Sequence, residues 1–149
     1  MVLSSPNLVS VMTGLLHSHS GLAYLVLFAS LLNVALALTV SKNPIAVAKV
    51  ILWSHRIVIW GGRINIIVGT VFWYKLGFAS VGIVGNLWAL ISFLLWGGVE
   101  VMVKRMVKED LSCALDGAPT SKNLMLGVSL QLLIMIIIFA LMSIKLLHG

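Results

Sequence analysis

Long apolar runs separated by short basic connections dominate the pattern of this chain. Three of the runs contain no charged residue and cover residues 21–40, 76–99 and 123–144. A helix needs about 20 apolar residues to cross the hydrocarbon core of a bilayer, and each run is long enough to do so. The pattern therefore predicts three membrane-spanning helices.

The stretch between the first two runs is apolar but interrupted by basic residues. We interpret residues 45–54 as an amphipathic helix at the membrane interface and 56–74 as a further span, because tryptophan favours the level of the lipid headgroups. One long tilted helix through the whole stretch is the alternative. The basic residues repeat every seven positions, at Lys49, Arg56 and Arg63. The tryptophans on the same helical side are Trp53 and Trp60.

Composition fixes the class of protein. The 149 residues are 60% hydrophobic and 9% charged, whereas a soluble domain carries about 25% charged residues. We therefore expect an all-α integral membrane bundle of four transmembrane helices, with the interfacial helix between the first two, as a single domain over residues 1–149. The single cysteine, Cys113, excludes an intramolecular disulfide. The opening MVLSSPNL has no Lys or Arg, so we expect it to be retained rather than cleaved as a signal peptide.

The positions of Lys and Arg predict the orientation. Seven lie in the connections after the first and third spans, and only Lys75 and Lys145 lie on the other side. Basic connections face the cytoplasm, so both termini are expected on the non-cytoplasmic side. The third span is expected to continue as a cytoplasmic helical extension over 100–112. The turn residues Asp116 and Gly117 follow this extension. Six basic residues are candidates for contact with anionic lipid or a partner: Lys49, Arg56, Arg63, Lys104, Arg105 and Lys108.

Small and polar residues inside the spans indicate where helices pack. Helices in lipid associate through small residues and interhelical hydrogen bonds, because lipid tails are as apolar as leucine. The third span has a stripe of small residues, and the first and fourth spans each carry an amide. The expected packing residues are Gly82, Gly85, Ala89, Ser92, Asn33 and Gln131.

The histidines are the candidates for cofactor chemistry. His17 and His19 are about 200° apart on a helix and point to opposite faces, so they do not form a metal-binding pair. His55 belongs to the opposite side of the bilayer, and His148 lies in the C-terminal tail. Bis-histidine haem ligation needs two imidazoles at one depth, so we expect no cofactor held by this chain alone. One axial histidine completed by another subunit, with haem b, stays open, and so does a purely interfacial role for the HSHS segment.

Arg63 lies inside a predicted span, where a charge costs about 2.5–3.5 kcal/mol on the lenient insertion scale. Three partners are open. They are Glu100 at the end of the third span, a lipid phosphate reached by the long side chain, and an anionic group of another chain. The predicted spans contain no Asp or Glu, which argues against a proton relay built on carboxylates.

The run HSHSGLAYLVLF resembles the start of the first helix in a group of small four-helix bacterial membrane proteins labelled cytochrome b-like. The resemblance covers the first span and, loosely, the four-span layout. Later spans of that group carry further histidines, whereas here the second span has Arg63 and the third has none. The resemblance implies a bacterial inner-membrane protein without a complete haem site, and only His17 and His19 carry over as cofactor-binding residues.

Three functions are compatible with these patterns. We favour a non-catalytic structural subunit of a multi-subunit membrane complex, of respiratory or photosynthetic electron transfer, with anionic lipids and other membrane subunits as partners and no nucleic acid. No motif of a catalytic site or acidic metal cluster is present in the sequence, so no enzyme activity and no metal are expected. A b-type haem-binding electron carrier is the alternative, and a small channel or transporter is the weaker one.

Overall fold

The computed structural model describes residues 6–40, 43–75, 86–117 and 122–148. A π turn at Val99–Val103 joins the third helix to the fourth, so that the two form one continuous rod. Within the described ranges the chain contains no strand and is an all-α four-helix bundle, in which the rod made of the third and fourth helices counts as one of the four. The helices are α1 (Pro6–Ala37), α2 (Pro44–Lys75), α3 (Leu87–Gly98), α4 (Lys104–Leu115) and α5 (Lys122–His148).

Each rod contains a segment long and apolar enough to cross a membrane. Together with the composition, this makes the chain an integral membrane protein, and the number of spans predicted from the sequence is confirmed for the described residues. The segments are Thr13–Ala37, Pro44–Val71, Leu87–Leu115 and Lys122–Ser143.

Local chemistry explains where the helices stop. Pro44 is the first residue of α2, a position where its missing N–H costs no hydrogen bond. The Asn43 carbonyl accepts the Val47 N–H at 3.1 Å and opens that helix. At the end of α4, Gly117 adopts φ 78°, the left-handed conformation in which glycine commonly terminates a helix. Asp116 and Gly117 therefore form the turn that the sequence predicted.

Helix α2 differs from the favoured sequence interpretation. The predicted boundary between an interfacial helix over 45–54 and a span over 56–74 does not exist, because one helix runs from Pro44 to Lys75. The alternative of one long helix describes the structure. Basic residues at 49 and 56 set a preference for the interface, but they do not interrupt the backbone hydrogen bonds of a helix, and the junction holds no glycine or proline.

The first and third rods also extend beyond their predicted bounds. Helix α1 begins at Pro6, so the HSHS segment lies within the helix rather than ahead of it. In the third rod, helix continues through the π turn to Leu115, which includes the predicted extension over 100–112. Residues 76–85, the first part of the predicted third span, lie outside the described residues.

The rods pack in a ring, with α1 between α2 and α5, and with the α3–α4 rod contacting the same two helices from the other side. The core runs along the centre of this ring and is made mainly of β-branched and small apolar side chains. Its fully buried members include Ile51, Val58, Val99, Val103, Val107, Leu111, Leu124 and Val128.

Candidate functional site

The first polar contact between rods is an ion pair from α2 to the π turn. Arg63 Nε donates to Glu100 Oε1 at 2.6 Å, and Arg63 Nη2 donates to Glu100 Oε2 at 3.0 Å. Lys104 Nζ lies 3.3 Å from the same Oε2, and the Arg63 guanidinium stands 4.8 Å from the Trp60 ring centroid. Of the three partners open to Arg63, the structure places Glu100 against it. A two-point arginine–carboxylate pair fixes both distance and orientation between the rods.

The π turn positions the carboxylate of this pair. Its hydrogen bond runs from the Lys104 N–H to the Val99 carbonyl, five residues back rather than four. Such turns are rare in helices and often occur at functional sites. Glu100 is the acidic residue of the turn, and its side chain is 20% exposed. The turn therefore holds a mostly covered carboxylate opposite α2.

His17 and His19 point in different directions, as their spacing predicts. His17 is exposed, and its Nδ1 lies 2.7 Å from the Thr13 carbonyl of its own helix. His19 faces α2, beside Asn65. A Cβ atom placed on Gly69 would lie 2.9 Å from His19 Cε1, so the imidazole occupies the space that the glycine leaves open. His17 is thus a surface residue and His19 an interhelical packing residue.

His55 and Gln131 form a second polar contact, inside the bundle. His55 Nδ1 lies 3.1 Å from Gln131 Oε1, and both side chains are buried. The sequence singled out each residue separately but not the pair. They are 76 positions apart and belong to different helices, so no local spacing could have connected them.

His19 and His55 lie at different depths of the bundle. His19 lies opposite Gly69, and Gly69 is 14 residues from His55 along α2, which is about 21 Å at about 1.5 Å per residue. Two axial ligands of one haem bind the same iron from opposite sides. His19 and His55 therefore do not fit a shared haem, and His17 is turned away from both.

Small residues bring the rods into close contact. A Cβ atom on Gly62 would overlap the Trp96 ring, one on Gly61 would lie 2.8 Å from Val26 Cγ2, and one on Gly127 would lie 2.9 Å from Val107 Cγ2. The Ser54 hydroxyl donates to the Ala29 carbonyl at 3.1 Å. Of the packing residues expected from the sequence, Asn33, Ser92 and Gln131 are buried and Ala89 is half-buried, while Gly82 and Gly85 lie outside the described residues.

One side of α2 carries basic and aromatic side chains that no other rod covers. We call Lys49, Trp53, Arg56 and Trp60 the basic face. Trp53 is 65% exposed and Trp60 60%, and the Arg56 guanidinium stands 5.2 Å from the Trp53 ring centroid. Lys49 and Arg56 have no acidic partner within the described ranges. Lys108 on α4 is exposed as well, whereas Arg105 pairs with Glu109 of its own helix at 2.9 Å.

The opposite side of the bundle is apolar at the same depth. The Ser54–Ala29 and His55–Gln131 contacts place Arg56 level with residues near 30 in α1 and near 131 in α5. There, Leu31 is 55% and Leu133 is 54% exposed. At this depth the molecule therefore has one charged and one apolar side.

Comparison of the chain with models of protein families, with curated proteins and with solved structures finds no match in any of the three.

Proposed function

We propose that this chain is a non-catalytic structural subunit of a multi-subunit membrane complex, and that its basic face binds an acidic partner subunit. The observation that carries the proposal is Arg56. It is exposed, lacks an acidic partner among the described residues, and lies 12 residues from Pro44 and 15 from Val71 in a membrane-length segment.

The depth of Arg56 is what calls for a partner. The end of the segment at Pro44 is about 18 Å away along the helix, which is more than half of a hydrocarbon core of about 30 Å. If the bilayer covers the whole segment, the guanidinium faces lipid and carries a cost of several kcal/mol. If the bilayer ends near Arg56, the apolar residues Leu38 and Leu126, on the opposite side and nearer that end, face water. A partner that covers the basic face removes the first cost, and a partner that covers the apolar side removes the second.

Acidic chemistry fits the basic face best. Lys49 is five residues from Pro44, about 7.5 Å along the helix, so its long side chain reaches lipid phosphates. If the hydrocarbon core begins at Pro44, Arg56 is too deep for that contact, and a carboxylate of a neighbouring helix would satisfy its planar guanidinium at two points. Anionic lipids thus serve Lys49 and Lys108, Lys104 pairs with Glu100, and the partner subunit serves Arg56.

Orientation and cellular setting follow the same proposal. The ends of the rods that carry Lys49, Lys104, Lys108 and Lys122 face the cytoplasm, and both termini face the other side. The likeness of HSHSGLAYLVLF to the first helix of cytochrome b-like proteins supports an electron-transfer complex of the bacterial inner membrane. Alkaline phosphatase fused after residue 149 should be active, and the same enzyme inserted between residues 117 and 122 should be inactive. The reverse pattern would contradict the orientation.

A carbodiimide cross-link at position 56 tests the partner. Arg56→Lys keeps the charge and supplies an amine that forms an amide with a neighbouring carboxylate. In native membranes we expect a cross-link from position 56 to an Asp or Glu of one companion subunit, present in stoichiometric amount. Arg105→Lys is the matched control, and its cross-link should go to Glu109 of the same chain. A chain that lies tilted in lipid alone would give only the control cross-link and would contradict the proposal.

His19 supports the second candidate, a b-type haem-binding electron carrier. Its Nδ1 is buried beside Asn65, and its ring lies against Gly69 of α2. An axial ligand from another subunit would be required. The structural role predicts that His17→Ala and His19→Ala leave the absorption spectrum of the purified complex unchanged. Loss of a haem band in His19→Ala alone would favour the carrier.

A further inference from the structure

Three buried polar side chains on three different helices have hydrogen-bonding atoms without a partner among the described residues. Asn33 on α1 and Gln131 on α5 are 0% exposed, and His55 on α2 is 5% exposed. The unpaired atoms are Asn33 Nδ2 and Oδ1, His55 Nε2 and Gln131 Nε2. Each would cost free energy if it stayed unpaired in the interior of a membrane bundle.

The registers of the helices bring these side chains to one depth. Tyr24 of α1 packs against Phe139 of α5, with ring centroids 5.2 Å apart and ring planes inclined by 57°. Asn33 is nine residues from Tyr24 toward the C-terminus of α1. Because α5 runs antiparallel to α1, the matching position in α5 is nine residues from Phe139 toward its N-terminus, at 130. Asn33 therefore lies level with Gln131, which contacts His55 directly.

The α1–α2 register agrees. The Ser54 hydroxyl contacts the Ala29 carbonyl, and Gly61 faces Val26. Asn33 is four residues beyond Ala29 and seven beyond Val26, so it falls opposite residues 50–54 of α2, within about one and a half turns of His55. Asn33 also shares its helical face with Val26 and Ala29, since offsets of three, four and seven residues lie on one side of a helix.

We propose that Asn33, His55 and Gln131 form a buried binding site for an ordered water molecule that bridges α1 and α2, with Gln131 of α5 orienting the His55 ring. Buried waters typically make two to four hydrogen bonds to polar groups that would otherwise be unsatisfied. Asn33 Oδ1 and His55 Nε2 supply two of these bonds, and Gln131 orients the His55 ring. Two amides and a single imidazole are a poor ligand set for a metal ion, whereas each of these groups forms hydrogen bonds with water.

The hydrogen-bond directions are determined by the chemistry of the groups. Because the Gln131 carbonyl oxygen only accepts, His55 Nδ1 carries the proton of their contact, and Nε2 of the neutral ring is an acceptor. The water donates one hydrogen to His55 Nε2 and the other to Asn33 Oδ1. Gln131 holds the ring from its other side through Oε1, so the amide of α5 orients the Nε2 acceptor toward the water.

Water-edited solid-state NMR of the full chain in lipid bilayers tests the site. With ¹⁵N-labelled histidine, the resonance that disappears in His55→Asn identifies the His55 ring. We expect magnetisation transfer from water to His55 Nε2 in the unmodified protein, with loss of that transfer in Asn33→Leu. The exposed His17 ring is the positive control. A His55 ring that receives no transfer from water while His17 does would overturn the proposal.

Unfolding in mixed detergent supplies a second, independent readout. If water bridges the site, Asn33→Leu removes a partner from the network and shifts the unfolding equilibrium toward the unfolded state by about threefold or more. Ser92→Ala is the matched control, because in the described part of the chain the buried Ser92 hydroxyl donates to the Trp88 carbonyl of its own helix, and its shift should be smaller. If the site is dry, Asn33→Leu removes an unpaired buried amide and stabilises the protein, which would contradict the proposal. This inference stands apart from the proposed partner.

Discussion

At the scale of single residues, glycines decide how closely α2 approaches its neighbours. Gly61 faces Val26 of α1, Gly62 faces Trp96 of α3, and Gly69 faces His19 of α1. Each position lets a larger side chain of another helix lie against the α2 backbone. Since lipid gives no hydrophobic drive for two helices to associate, this close contact supplies much of the attraction between the rods.

Gly62→Ala tests that contact. The added methyl group overlaps the Trp96 ring, which is buried, so we expect destabilisation by about 1–3 kcal/mol, typical of overpacking. Gly97→Ala is the matched control, because a Cβ there meets nothing within 4 Å. That change should be neutral or stabilise by up to about 1 kcal/mol through helix propensity. Unfolding in mixed detergent measures both, and equal effects of the two changes would contradict the packing account.

The Arg63–Glu100 pair gives a second residue-level prediction. Arg63→Leu leaves Glu100 with Lys104 alone and should lower the unfolding midpoint. Arg63→Lys should lower it less, because lysine keeps the charge but cannot bind the carboxylate at two points. In a cycle with Glu100→Gln, the double variant should lose less than the sum of the single losses. Additive losses would show that the two side chains do not interact, and Arg105→Leu, on an exposed surface pair, serves as the reference.

Residue spacing predicted some of these contacts and not others. The 200° separation of His17 and His19 follows from helix geometry alone, and the structure places the two on different sides. Glu100 could be named as a partner for Arg63 because few carboxylates lie near a span end. The His55–Gln131 contact could not be foreseen, since it depends on how α2 and α5 lie against each other.

At the scale of elements, hydropathy located the rods but not their ends. A hydropathy window reports which residues suit lipid, whereas a helix continues as long as its backbone hydrogen bonds do. This difference explains why α1 starts at Pro6 and α2 at Pro44, ahead of the predicted spans. The π turn at Val99–Val103 was also invisible in the sequence, because one extra residue in a turn leaves the apolar periodicity on both sides almost unchanged.

Deleting Val101 tests the role of the π turn. Val101 is 72% exposed, and its removal should convert the turn to regular α-helix while the faces of α3 and α4 keep their partners. The protein should still fold, with unchanged helix content, but with a lower unfolding midpoint because Glu100 moves away from Arg63.

Deleting exposed Lys108 is the control. It turns the rest of α4 by about 100°, removes Leu111 and Ala114 from the core and should prevent folding. Equal damage from both deletions, measured by circular dichroism, would contradict this role.

At the scale of the whole molecule, the bundle is asymmetric across its width. The basic face of α2 and the apolar surface of α1 and α5 occur at the same depth. A helical bundle that met lipid on all sides would be apolar all round at mid-depth. The composition predicted the membrane class and the number of spans, but this two-sidedness required the structure, because it depends on which face of each helix remains uncovered.

The most direct measurement is native mass spectrometry of the protein purified from its own membrane in a mild detergent, as wild type and as Arg56→Gln. The account predicts that the wild type carries a stoichiometric companion subunit and that Arg56→Gln releases it. Arg105→Gln, with the same loss of charge, should retain it. A 16.1 kDa chain that travels alone or as a homodimer in all three samples would contradict the proposed structural role.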